Sequence, residues 1–72
     1  MVYLITGGTG FVGSYVAKEL LKRGDKVVAY DFMQSNVMQQ ILEPEEISQI
    51  TIVIGAITDL ARICRVIKEH KV

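Results

Sequence analysis

Thr6-Gly7-Gly8-Thr9-Gly10-Phe11-Val12-Gly13 sets glycines at positions 7, 10 and 13 between an apolar run and a helical pattern. The run before it, Val2-Tyr3-Leu4-Ile5-Thr6, is rich in β-branched and aromatic residues, as expected of a buried parallel strand that ends at a turn. After it, Val12, Val16 and Leu20 recur four apart, with Ala17 and Leu21 beside them. Lys18, Glu19, Lys22 and Arg23 fill the other face, so the segment reads as an amphipathic helix. Gly24 behind the basic last turn suits a helix C′ position, and Val27-Val28-Ala29-Tyr30 is a second short strand. The opening unit is therefore β-α-β.

Between a strand and a helix, each glycine of the turn has a separate expected role. Gly7 permits the tight turn, Gly10 removes a Cβ that would hold the backbone away from a pyrophosphate, and Gly13 lets the helix pack close to the first strand. Backbone N–H groups at about Phe11 and Val12 open the helix without intrahelical partners and face phosphate oxygens along the helix dipole. A dinucleotide's pyrophosphate fits there without a lysine. The alternative is a glycine-rich turn that only connects two packed elements.

Asp31 stands at the end of the second strand, 18 residues after Gly13. A carboxylate there can accept hydrogen bonds from both hydroxyls of an adenosine ribose and would repel a 2′-phosphate. No Arg or Lys lies between Asp31 and Asn36 to offset that repulsion, so NAD is expected over NADP. The competing reading is an ordinary solvated carboxylate at a strand end.

Residues 31–36 read as a loop and residues 37–42 as one or two helical turns. Pro44 disfavours helix at Glu43 and can begin a new turn. Ile50–Ile54 is a third β-branched strand closed by Gly55. Thr58 or Asp59 can cap a last helix whose apolar stripe is Leu60, Ile63, Cys64 and Ile67, opposite Arg62, Arg65 and Lys68. The order β-α-β-α-β-α implies an α/β half of a Rossmann fold, with a three-stranded parallel sheet in spatial order 3-2-1. Strand one then lies at an edge that is almost wholly apolar, a site for self-association. With half of its 72 residues hydrophobic, the chain is expected to be a partial domain truncated before a fourth strand.

Lys plus Arg and Asp plus Glu both number 8, and this balance gives no polyanion-binding surface, so nucleic acid is not an expected partner. No apolar run approaches the ~20 residues of a membrane span, and the first residues lack a basic n-region and cleavage site. The single Cys64 forms no internal disulfide and fits a reducing cytoplasm.

The spacing Gly-x-x-Gly-x-x-Gly within Ile5-Thr6-Gly7-Gly8-Thr9-Gly10-Phe11-Val12-Gly13 resembles the extended short-chain dehydrogenase/reductases, the NAD-dependent nucleotide-sugar epimerases and dehydratases. The likeness runs through Asp31 and the third strand to the end of the chain. It implies that Phe32, Ser35 and Asn36 line the adenosine site, although these side chains match only loosely. The family usually follows its third strand with Gly-Asp-Ile or Gly-Asp-Leu, in which the Asp meets the adenine amino group. Here the run is Gly55-Ala56-Ile57, so Ile57 can cover adenine but Ala56 cannot accept from it.

The family's catalytic Ser or Thr and its Tyr-x-x-x-Lys pair belong to later segments. Tyr15 and Lys18 are one residue too close for that pair, and Tyr15 reads as structural. Cys64, on the apolar stripe, reads as a packed small hydrophobe. His70, among Lys68, Glu69 and Lys71, reads as a solvated residue of the last helical turn, where a cation suits the helix dipole. The expectation is the cofactor-binding portion of an epimerase or dehydratase, without catalytic residues of its own. A nucleotide-sugar substrate is implied only for a longer chain. The rival expectations are a non-catalytic nucleotide-binding or redox-sensing module and a reductase of the same family acting on a non-sugar carbonyl.

Overall fold

In the computed structural model, which describes residues 1–33 and 36–72, three parallel strands form one sheet in the order β1-β2-β3. They are β1 (Val2–Thr6), β2 (Lys26–Asp31) and β3 (Ile50–Ile54). Val2 pairs with Lys26 and Thr6 with Tyr30, while Val27 pairs with Ile50 and Asp31 with Ile54. This is the expected 3-2-1 arrangement, with β1 at an edge.

Alternation along β2 builds two cores. Val27 and Ala29 point into one with Ala17, Leu20, Met38, Leu42 and Ile50; Val28 and Tyr30 point into the other with Val66. The first core lies under α1 (Phe11–Lys22), α2 (Val37–Ile41) and α3 (Pro44–Ser48), and the second under α4 (Leu60–His70). Helices thus cover both faces of the sheet, the layering expected of a parallel α/β unit.

The segment between β2 and β3 forms two short helices where the sequence pattern outlined one helical element with a possible new turn. Pro44 is the cause: Glu43 before it is extended (φ −72°, ψ 154°) and becomes the N-cap of α3. The Glu43 N–H donates to Glu46 Oε1 at 2.9 Å, and the Glu43 side chain accepts from the Glu46 backbone in return.

Two helix faces differ from the periodicity reading. In α1 the buried stripe is Gly13, Ser14, Ala17 and Leu20; Val16 is exposed and Val12 is 73% exposed. Close packing at Gly13 fixes the rotation of the helix, and each residue step turns it by roughly 100°, which carries Val12 and Val16 off the sheet. In α4, Ile63 and Val66 pack against the sheet, while Leu60 is 71% exposed and Ile67 and Cys64 are also exposed. The apolar arc of α4 is wider than the strip of sheet it meets. Cys64 is therefore not the packed core residue that its place on the stripe suggests.

Candidate functional site

The C-terminal ends of all three strands converge on one groove of about 450 Å³, bounded by Thr6 and Gly7, residues 30–32 and residues 55–58. In an open parallel sheet this is the end at which loops gather and ligands bind.

Its first wall is the glycine turn. Gly7 adopts φ +66°, a conformation that a side chain would strain, and its N–H donates to the Tyr30 carbonyl at 2.8 Å. Gly10 is the N-cap of α1, with φ −80° and no side-chain cap. Phe11 and Val12 open the helix beside it, exposed, with their N–H groups at the positive end of the helix dipole. A Cβ on Gly13 would stand 2.5 Å from the Gly7 carbonyl oxygen and 2.8 Å from Gly8 Cα. Gly13 thus brings the helix against the turn itself, just beyond β1. A Cβ on Gly8 would stand 2.6 Å from Ala29 Cβ, so Gly8 also enables a close approach that the three-residue spacing did not single out. Among the described residues other than its chain neighbours, a Cβ on Gly10 would meet only the Gly7 oxygen, at 3.4 Å. The space over Gly10 is open to a ligand.

The second wall is the end of β2. Asp31 closes the strand, and its carboxylate is already oriented. Oδ2 accepts from the Thr9 hydroxyl at 2.8 Å and from the Thr9 N–H at 3.3 Å, and Oδ1 accepts from the Phe32 N–H at 2.8 Å. Each carboxylate oxygen offers two lone-pair sites, so acceptor capacity remains on Oδ1. Phe32 extends beyond the strand, 72% exposed.

Tyr30 connects this wall to the third. Its side chain is buried, and its hydroxyl donates to the Ala56 carbonyl at 2.9 Å, which holds the loop after β3. The Tyr30 carbonyl meanwhile accepts from the Gly7 N–H, so one residue ties both flanking loops to the central strand. Ile57, 60% exposed, contributes an apolar side chain to the groove. Asp59 caps α4 by accepting from the Arg62 N–H at 3.1 Å, which identifies the cap among the two candidates.

The structure therefore brings Gly7, Asp31, Phe32 and Ile57 to one groove; Gly10, Phe11, Val12 and Gly13 follow in the turn and first turn of α1 and are not among the described residues that line it. Asn36, the exposed N-cap residue of α2, is not among the described residues that line it. Ser35 lies outside the described residues. Tyr30 also lines the groove and Thr9 bonds to Asp31, positions that the glycine spacing and strand pattern do not single out. A Tyr at a strand end beside an expected site carboxylate is a readable signal, since a buried phenol needs a partner for its hydroxyl.

Tyr15 packs edge-on against Phe11, ring centroids 5.2 Å apart, and Lys18 Nζ donates to the Ile41 carbonyl at 3.3 Å. Both side chains have structural partners away from the groove. Among the described residues no group of three or more His, Cys, Asp or Glu is placed to hold a metal ion, and no helix is long and apolar enough to cross a membrane.

The sequence matches the family described as GDP-mannose 4,6 dehydratase over residues 4–72. It is 30% identical to a UDP-glucose 4-epimerase of Klebsiella pneumoniae, covering 100% of this chain and 53% of that protein. It is also 30% identical to a UDP-glucose 4-epimerase of Drosophila melanogaster, covering 96% of this chain and 22% of the relative. The structure superposes on dTDP-glucose 4,6-dehydratase of Bacillus anthracis in complex with NAD with a TM-score of 0.79 at 28% identity, over 100% of this chain and 24% of that one. For the Bordetella bronchiseptica enzyme WbmH in complex with NAD+ the TM-score is 0.70 at 36% identity, over 94% of this chain and 21% of that one. The chain thus spans about half the length of the Klebsiella relative and about a fifth of the Drosophila one. With its glycine turn, three-stranded sheet and strand-end carboxylate in the expected order, the chain belongs to the GDP-mannose 4,6-dehydratase family, among the extended short-chain dehydrogenase/reductases.

Proposed function

We propose that the chain is the N-terminal, NAD-binding portion of a nucleotide-sugar epimerase- or dehydratase-like oxidoreductase. One observation carries this reading: Gly7 of the glycine turn and the oriented carboxylate of Asp31 line the same groove, and the N-terminus of α1 follows from that turn. The residues fit the dinucleotide. Gly10 leaves room for a diphosphate over the Phe11 and Val12 amides, Asp31 suits the ribose hydroxyls, and Phe32 and Ile57 offer apolar surface to a base. Ala56 contributes no side-chain acceptor, and its carbonyl already accepts from Tyr30. Base recognition here relies on apolar contact more than on a side-chain hydrogen bond.

When bound, NAD would supply the transient oxidation of a sugar hydroxyl. This chain's own residues bind and orient the adenosine and pyrophosphate half, and no Tyr-x-x-x-Lys pair accompanies them. On this reading these residues hold the cofactor and do not themselves catalyse hydride transfer. The exposed lone thiol of Cys64 suits a reducing compartment such as the cytoplasm. The unpaired edge of β1 suits a second copy of the chain, because two identical edge strands can pair antiparallel about a two-fold axis.

Isothermal titration with NAD and NADP tests the cofactor assignment. NAD binds more tightly than NADP, and Asp31→Ala weakens NAD by about ten-fold, the scale of a charge-assisted hydrogen bond, while narrowing the gap between the two. Equal affinity of the wild-type chain for both dinucleotides would overturn the assignment.

A further inference from the structure

We propose that Thr9 is a positioning residue that presents the Asp31 carboxylate to the ribose, an inference that rests on the NAD reading above. Thr9 is 0% exposed, inside the glycine turn, at a place where the spacing of the motif demands nothing but a linker. Its hydroxyl is 2.8 Å and its N–H 3.3 Å from Asp31 Oδ2, so two donors of one residue converge on a single carboxylate oxygen. The Met33 carbonyl lies 3.1 Å from the same hydroxyl. The hydroxyl has one proton, and the charged, nearer oxygen of Asp31 is the stronger acceptor.

The consequence is a division of labour within the carboxylate. Oδ2 is engaged by the turn, Oδ1 accepts among the described residues from the Phe32 N–H alone, and rotation of the side chain would break three contacts at once. An aspartate at a strand end otherwise samples several rotamers, and freezing them on binding weakens affinity. Thr9 therefore acts on the ribose through Asp31, and it couples the pyrophosphate turn to the ribose acceptor.

The coupling is read by pairing a protein change with a ligand change. Binding of NAD and of its analogue lacking both adenosine-ribose hydroxyls is measured by titration calorimetry for wild-type protein, Thr9→Val and Thr9→Ser, with folding checked by circular dichroism. Wild-type protein loses about ten-fold on going from NAD to the analogue, and in Thr9→Val that loss shrinks below about three-fold because Asp31 no longer discriminates. Thr9→Ser keeps the hydroxyl and behaves as wild type. If Thr9→Val does not fold, the contrast between Thr9→Ala and Thr9→Ser reads the hydroxyl alone. Equal losses for both ligands in the hydroxyl-free variant, or no loss for either, would assign Thr9 a purely structural role and overturn the inference while leaving NAD binding intact. Failure of wild-type protein to bind NAD would overturn the NAD reading first and this inference with it.

Discussion

A Cβ on Gly13 would stand 2.5 Å from the Gly7 carbonyl oxygen, whereas a Cβ on Gly10 would approach the same oxygen only to 3.4 Å. Two glycines of one motif thus meet different constraints: Gly13 is required by the packing of the protein, whereas Gly10 leaves space that the proposed pyrophosphate would occupy. Gly13→Ala forces the helix off the turn and destabilises the fold by at least about 1–3 kcal/mol, the scale of an overpacked site. Gly10→Ala, at a backbone angle that alanine accepts, changes stability by less than about 1 kcal/mol yet weakens NAD binding at least about ten-fold. Urea denaturation and calorimetric titration of the two variants separate these outcomes; a Gly10→Ala protein that binds NAD normally would contradict the role given to Gly10.

Tyr30→Phe removes the donor to the Ala56 carbonyl and nothing else from the second core. The expected cost is about 1 kcal/mol of stability. Residues 56–58 are released from β2, so NAD affinity falls by a small factor as well. Thermal melts with and without NAD measure both, and an unchanged melting temperature would show that the bond contributes nothing net.

Met38, on α2, is fully buried in the first core. Met38→Ala costs about 2–5 kcal/mol, through lost burial and a residual cavity. The groove lies elsewhere, so NAD affinity of the folded fraction is unchanged. A shifted urea midpoint at constant slope is the expected signature; a loss of binding without a loss of stability would place Met38 in the site instead.

Sedimentation velocity over a hundred-fold range of protein concentration reports on the β1 edge. A concentration-dependent rise in sedimentation coefficient is expected, since among the described residues the outer side of β1 has no strand partner. A monomer at every concentration would remove the edge from consideration as a self-association surface.

The sheet was legible because its signals are local. Val2–Thr6 and Ile50–Ile54 are β-branched runs bounded by glycines, and the expected strand bounds agree with those observed. Helix faces were less legible, for a physical reason. An apolar side chain such as Val12 or Leu60 declares that it can be buried, but which of several apolar positions meets the sheet depends on backbone approach at Gly13 or on where Asp59 starts α4. The groove was legible at Gly7 and Asp31, whose residue types are tied to backbone geometry and charge. Thr9 was not, because its hydrogen bond to Asp31 reaches a residue 22 positions further along the sequence.

β2 is the sole described strand paired on both sides, and Val27, Val28, Ala29 and Tyr30 are buried on both of its faces. Its amide protons are therefore shielded from exchange by every layer of the molecule, and they open only with the whole fold. Asp31 is the last residue of that strand, and the Gly7 turn hangs from the Tyr30 carbonyl one residue earlier. The end of β2 and the glycine turn are thus anchored where spontaneous local unfolding is rarest, while the exposed positions of α4 open at lower cost.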